Sequence, residues 1–516
     1  MTRTQPTPIP AASREPDPEA PRAGRREWAA LVVLMLPVLL ISIDNTVLSF
    51  ALPEIAAELR PSAAGQLWIV DIYPLVLAGL LVAMGNLGDR YGRRRMLLIG
   101  ASGFGVVSAL AAVAPDGAWL VAARALLGVF GAMLMPSTLS LLRSLFLDRR
   151  QRRLAIAIWA TGFSVGSAIG PVVGGVLLEH FWWGSVFLIA VPVLLPLLVL
   201  APILIRESRD PEPGPIDAAG IALSMAALAP VVFAIKHVAT EGIDPLAIAL
   251  AAIGVVAGAL FVRRMRRRPN PMLDVGLFAV PAFGGGVVIN LVSVFSLVGF
   301  LFFATQHLQL VVGLSPLDAA IALAPGVVTM IASGLLAVVL VKRIRPAFVI
   351  AGALSISLAA YVVMAITGGD AGTGPVVLAF ALLGLGIGTA ETLSNDLIIA
   401  SVPPAKAGAA SAVSETAYEL GAVLGTAVLG SVLAAAYRSS LEIPAGIGAE
   451  DAAAARETLA AAGEAAERVG GAEGAVLLES ARHAFDSGVL STSLVGAALM
   501  ALAVTISLVV LRRVRA

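Results

Sequence analysis

Apolar residues run in long blocks along this chain and do not alternate with polar ones. Fourteen blocks are long enough for a helix to cross a bilayer: 29–50, 67–87, 96–114, 119–142, 154–178, 183–205, 216–236, 245–262, 281–304, 316–341, 346–367, 375–397, 406–436 and 488–511. A helix rises about 1.5 Å per residue and the hydrocarbon core is about 30 Å thick, so each block predicts one spanning helix. The Pro-, Arg- and Glu-rich segment 1–27 is predicted to be a disordered tail. The block after it is too long for a signal peptide and has no convincing small-residue cleavage site. Residues 437–487 form the one long polar connection, rich in Ala and Glu. They predict one or two short amphipathic helices in a solvated, partly mobile cap that carries no site.

Charge orients these spans. Of the 35 Lys and Arg, all but Arg60, Arg124, Lys236, Arg438, Arg456, Arg468 and Arg482 fall in the two tails and in alternate connections. Positive residues mark the cytoplasmic side, so both termini are predicted there, with Lys236 among the few outer cations. Arg124 falls inside a span.

Composition agrees with this and excludes other classes. With 58% hydrophobic and 13% charged residues and a mean hydropathy of +0.92, the chain reads as an all-α polytopic membrane protein. A net charge of +1 leaves no basic footprint for nucleic acid. The absence of Cys removes disulfides and thiolate metal sites. The four His, at 180, 237, 307 and 483, are scattered without metal-ligand spacing. No phosphate-binding loop of the G-x-x-x-x-G-K-[ST] type occurs, which argues against an ATP-driven pump and leaves no cofactor to expect.

The connection between the second and third spans is the most informative stretch. Gly85-Asn-Leu-Gly-Asp89-Arg90-Tyr-Gly92-Arg93-Arg-Arg sets an acid among arginines and glycines. Topology alone would explain a run of arginines but not Asp89 within it. Asp89 is expected to pair with Arg93 and with Arg143 at the end of span 4. In an outward-open state it would also dock near the start of span 13, just after Pro403-Pro404, where helix amides lack partners.

Charges inside spans are costly and rare, and mark function by default. Asp44 in span 1, Asp71 in span 2 and Arg124 in span 4 fall at similar depth in the outer half. One Arg cannot satisfy two carboxylates, although a structural pair with one of them is an alternative reading. Span 12 carries Glu391 and Asn395 on one face, with Asp396 near the headgroups. Span 13 puts Glu415, Tyr418 and Glu419 on one stripe, and Glu415 lies close to the midplane. Trp68, Tyr73 and Tyr418 lie near these acids and could contact a cation through their ring faces. For Trp68 and Tyr73, anchoring at the membrane interface is the competing reading.

Span 5 contains Gly166-x-x-x-Gly170-Pro171-x-x-Gly174-Gly175, glycines that bring backbone to one helix face, with a kink at Pro171. Laying Gly421–Gly430 on Gly166–Gly175 makes span 13 the second-half counterpart of span 5. It also puts Glu415 and Glu419 where the first half has Ala160 and Ser164. The chain thus divides into a first half at 28–205, two inserted spans at 216–263 with no motif and few polar residues, and a second half at 281–511. A site between the halves is the expected arrangement for a repeated transporter.

Gly85 to Leu97 resembles the loop signature of the major facilitator superfamily. Leu120-Val-Ala-Ala-Arg124-Ala-Leu-Leu-Gly128 resembles its fourth-span motif, whose Arg is implicated in proton transfer. The span 5 pattern resembles the signature of its antiporter members. From about 28 to 511 the chain is similar to fourteen-span drug:proton antiporters. Loop 342–346 departs from the pattern, keeping the charge but not the Gly-Asp element, so one well-formed gate is expected. The resemblance implies a major facilitator fold, no enzyme activity, and a monomer in the cell membrane. It implies export of lipophilic cations in exchange for protons: quaternary ammonium compounds, ethidium and acriflavine-like dyes, with fluoroquinolones a further class. A cavity carboxylate would accept a proton or an organic cation but not both, because burial disfavours the charged form. A proton-coupled metabolite carrier would need a more polar cavity, and a non-transporting sensor would need no acids at mid-membrane.

Overall fold

The computed structural model describes residues 22–209, 217–268, 271, 275–367, 372–402 and 407–512. All regular structure among them is helical. The first half comprises α1 Arg25–Leu59, α2 Ala63–Tyr91, α3 Arg93–Ala111, α4 Gly117–Leu145, α5 Arg149–His180 and a short α6 Ser185–Leu188 leading into α7 Ala190–Leu204. Then come α8 Ala218–Glu241 and α9 Pro245–Arg267. The second half comprises α10 Pro281–Gln306, α11 Pro316–Leu340, α12 Pro346–Thr367, α13 Thr373–Ala400, α14 Ala407–Gly425, α15 Ser431–Ser440, α16 Ala449–Glu457, α17 Leu459–Val469 and α18 Gly471–Val510. Two π segments extend these helices, His307–Val311 after α10 and Thr426–Gly430 between α14 and α15. Thirteen helical segments among the described residues are long and apolar enough to cross a membrane. The 32-residue α5 occupies the remaining place of the fourteen.

The helices start where the sequence supplies caps. Ser62, Asp116, Asp148, Asp217, Asp244 and Ser315 each accept a hydrogen bond from a backbone amide in the first turn that follows. Pro245 and Pro316 occupy first-turn positions that need no amide donor. Interior prolines at 37, 53, 74, 136 and 171 are retained in helices whose neighbours hold them in place.

The internal repeat is explicit in the packing. In the first half α1 lies on α5 and α7, α2 on α4, and α3 on α4 and α7. In the second half α10 lies on α14 and α18, α11 on α13, and α12 on α13 and α18. Between the halves α2 meets α14, and α5 meets α11. These are equivalent pairs under the same repeat, so the two halves form one pseudo-symmetric bundle.

The inserted pair packs on itself, and α8 also packs on α2 and α15. On the face that carries the termini, Arg264 clamps the pair by donating two hydrogen bonds to Asp217 Oδ1, at 2.9 and 2.7 Å. On the opposite face His237 Nε2 lies 3.1 Å from Asp244 Oδ2.

The short helices expected in the cap are α16 and α17, and they pack against the rest of the chain. Residues 471–510 belong to α18, while Ala455 of α16 and Leu459, Ala462 and Ala465 of α17 are buried. Tyr437 Oη donates to Ala455 O at 2.8 Å. The apolar faces of these short helices have a neighbour to bury against, so they dock. They also latch the halves together: Arg60 Nη2 is 3.0 Å from Glu464 Oε2, and the Ala63 amide donates to Glu457 Oε2 at 3.2 Å. Deeper on the same side, Gln309 Nε2 donates to Phe50 O at 3.2 Å. The halves therefore close on the face opposite the termini.

Candidate functional site

The intramembrane charges converge at the interface between the halves, and each of the two aspartates has its own cation. Arg124 Nη1 is 2.6 Å from Asp44 Oδ2, and its Nε donates to Ile69 O at 3.1 Å. Its guanidinium stands 4.6 Å from the centroid of the Tyr73 ring. Tyr73 is fully buried, edge-on to Phe104. It therefore neither anchors at an interface nor presents a face to a ligand, because the chain's own Arg covers that face.

Asp71 is paired by a residue that charge counting placed outside. Lys236 Nζ lies 3.0 Å from Asp71 Oδ2 and donates to Leu67 O at 2.9 Å. It sits 3.9 Å from the Trp68 ring centroid. Only 1% of Lys236 is exposed, so it is not one of the outer cations. One Trp68 face is occupied by the chain's own cation in the same way as that of Tyr73. The inserted helices thus contribute directly to the charged centre. The one signal in the sequence was a lone Lys at the end of an otherwise apolar block.

The acids of α14 have no such cation. Glu415 Oε1 and Glu419 Oε2 are buried oxygens with no hydrogen-bond partner among the described residues. Glu419 lies within electrostatic reach of Glu415, Asp44 and Arg124, and Asn45 of α1 is close enough to hydrogen-bond it. Tyr418 is on the same stripe and is influenced by Glu391 as well as by both α14 acids. Glu391, Glu415 and Tyr418 are only partly covered, whereas Asn395 and Asp396 are exposed at the end of α13. Asn395 Oδ1 accepts from Ser414 Oγ at 3.1 Å, joining α13 to α14.

A cavity lies between the halves at this level. Asp71, Arg124 and Tyr418 reach its wall, which is otherwise mostly apolar, with Leu297, Val327 and Phe380 among the lining residues. Thr426, from the π segment, also lines it and lies close enough to Asp71 to hydrogen-bond it. Such a wall accepts apolar bodies of many shapes and offers few hydrogen bonds for a polyhydroxylated one.

The Major Facilitator Superfamily sequence profile matches residues 34–426. This chain belongs to the major facilitator superfamily. It is 54% identical over 499 residues to the multidrug efflux pump LfrA of Mycolicibacterium smegmatis, covering 97% of this chain and 99% of that protein. It is 36% identical to the methyl viologen resistance protein SmvA of Salmonella typhimurium, over 93% of this chain and 97% of that one. In fold it is similar to a bacterial homologue of the human lysosomal transporter Spinster, solved inward-facing and occupied. That match has a TM-score of 0.63 and 19% identity, over 93% and 97% of the two chains.

The loop signature of this major facilitator protein is built around a tight joint between α2 and α3. Gly92 has φ +116°, a conformation that side chains rarely adopt, and a Cβ there would meet the Glu207 carboxylate. Asp89 Oδ1 accepts from Arg93 Nε and Nη2, both at 2.8 Å. Gly85 lets α2 approach Pro136 of α4. Arg90 is exposed. Arg143 stands near Arg93 and Arg152, and with the halves closed on the opposite face the ion pair shown for Asp89 is with Arg93. The start of span 13 at Pro403-Pro404 lies outside the described residues.

Sequence reasoning missed the loop's main partner. Glu207 accepts the Arg94 and Arg95 amides at 2.9 and 3.1 Å, capping α3 with a negative charge. Ser208 O accepts the Arg93 amide, and Ser208 Oγ accepts from Arg93 Nη1. An acid in the short 206–209 connection was the available clue. The equivalent cations of the second half, Lys342, Arg343 and Arg345, are exposed.

The antiporter-type glycines are contact points. Gly166, Gly170 and Gly174 lie against Ser42, Thr46 and Val47 of α1, and Gly175 against Leu317 of α11. Pro171 lines the cavity. Gly421 and Gly425 repeat this contact against Leu291 and Phe295 of α10.

Proposed function

We propose that this protein exports lipophilic organic cations across the cell membrane in exchange for protons. The substrate classes are quaternary ammonium compounds, ethidium, acriflavine-like dyes and fluoroquinolones. The observation that carries the reading is the pair of α14 acids, Glu415 and Glu419. Each has a buried oxygen without a hydrogen-bond partner among the described residues, on the helix whose Tyr418 reaches the cavity wall, while Asp44 and Asp71 each have a cation within 3.0 Å. An unpaired carboxylate in such a place is neutralised either by a proton or by a bound cation. Mutual exclusion at Glu415 and Glu419 is then the exchange, and Tyr418 supplies a ring face to the cation. Relatives named for multidrug efflux and methyl viologen resistance support the same reading.

Both termini lie in the cytoplasm on this reading, in accord with the Lys and Arg bias. The latches through Arg60, Ala63 and Gln309 then close the outer face, and Glu415 is reached from the cytoplasm. In the outward-open state Asp89 gains a further docking contact, which shifts the balance between two conformations. The protein works as a monomer.

The test is ethidium transport in inverted membrane vesicles energised by respiration. Uptake that an uncoupler abolishes is the expected result. Uptake unaffected by the uncoupler would reject proton exchange, and no uptake of any of these cations would reject the substrate class.

A further inference from the structure

The Lys236 ammonium is held as a bound organic cation would be. A carboxylate lies 3.0 Å away, a backbone carbonyl 2.9 Å away, and an indole face at 3.9 Å closes a third side. Phe233 braces the same indole, with its ring centroid 5.9 Å from that of Trp68. Two helices outside the twelve-helix repeat bring this ammonium in. α8 sits close against α2, with Met225 over Gly79, and the flexible four-carbon stem of Lys236 reaches inward from near the α8 end.

We infer that Asp71, the Leu67 carbonyl and Trp68 form a cation-binding box that the chain fills with its own tethered cation, Lys236, and that this residue sets the charge the cavity presents to substrate. The inference deepens the export reading given above and rests on it.

The charges around the cavity make the argument. Asp44 is offset by Arg124 and Asp71 by Lys236. Among the described residues, Glu391 of α13 and Glu415 and Glu419 of α14 then stand without a cation beside them. Asp71 belongs to the cavity wall, so without Lys236 its carboxylate would face the ligand uncompensated across a low-dielectric space. A dication would gain from that more than a monocation of the same shape. Structural need alone does not account for the pair, because a buried ion pair is frequently no more stabilising than apolar residues of similar volume. Lys236 contacts the wall and not the substrate, so it acts as a determinant of charge selectivity.

The experiment measures binding of tetraphenylphosphonium and of an alkane-linked bis-triphenylphosphonium dication to the full-length protein in lipid nanodiscs. Lys236→Met is expected to raise the dication-to-monocation preference about tenfold, the scale of one added charge interaction. Lys236→Arg retains the charge and the wild-type preference. Asp71→Asn, which leaves the Lys236 charge uncompensated, shifts the preference the opposite way. The Asp71→Asn/Lys236→Met double variant returns it to the wild-type value. Should Lys236→Met fail to fold, Asp71→Asn and the double variant carry the test. A wild-type ratio in every folded variant overturns the inference. If the wild-type protein binds neither cation, the export reading fails and takes this inference with it.

Discussion

Arg124 Nη1 and Asp44 Oδ2 lie 2.6 Å apart, with 1% and 9% of their side chains exposed. In so dry a place either charge alone is costly, and breaking a buried pair by removing one partner costs about 3–5 kcal/mol. Asp44→Asn is therefore expected to lower the thermal midpoint of the purified protein. Asp44→Asn/Arg124→Gln should recover much of the loss, since no lone charge remains. Thermal unfolding followed by intrinsic fluorescence decides this. A double variant no more stable than the single would mean that pairing is not what stabilises the first half.

Glu415 and Glu419 share a stripe and are four residues apart, so each can partly substitute for the other. Glu415→Gln should keep monocation efflux within about twofold while lowering dication efflux about tenfold, the scale of one lost charge interaction. Glu415→Gln/Glu419→Gln should abolish transport of both. Efflux of a matched pair of cations, normalised to membrane expression, is the measurement. Equal and small losses for both cations in the single variant would remove Glu415 from the substrate path.

Glu207 is predicted to matter as much as Asp89. It accepts two amides at the start of α3, and loss of such a cap costs about 1 kcal/mol. Glu207→Gln and Asp89→Asn should both express at wild-type levels and slow initial efflux several-fold, because each contact stabilises one state of the cycle. Wild-type rates in a well-expressed Glu207→Gln protein would limit its role to local structure.

The glycine contacts give a paired test of the repeat. A Cβ at Gly166 would stand 2.6 Å from Ser42 Cβ and 2.8 Å from Leu39 O, and one at Gly425 would stand 3.0 Å from Phe295 Cα. Overpacking of this kind costs about 1–3 kcal/mol, so Gly166→Ala and Gly425→Ala should both lower the thermal midpoint. Nothing lies within 4 Å of a Cβ at Gly352. Gly352→Ala should be neutral or raise the midpoint slightly, since Ala is the better helix former. Similar midpoints for all three would contradict close packing at the equivalent α1–α5 and α10–α14 contacts.

The sequence by itself determined the spans, their number and the family. Hydropathy sums over some twenty consecutive residues, so neither packing nor partners are needed to read it. The joint around Asp89 and Gly92 and the glycines from Gly166 to Gly175 were legible for a related reason: each is a local run whose spacing carries its geometry. The acids were also visible, because a charge inside an apolar block is conspicuous wherever it points. Tertiary structure alone decided which charges were already satisfied. Lys236 donates to a carbonyl 169 residues away in the chain, at Leu67, and no periodicity links the two. Which of Asp44, Asp71, Glu415 and Glu419 have a cation beside them depended on such pairings. These are set by the side chains that three-dimensional packing brings within about 3 Å, a distance over which order along the chain has no influence.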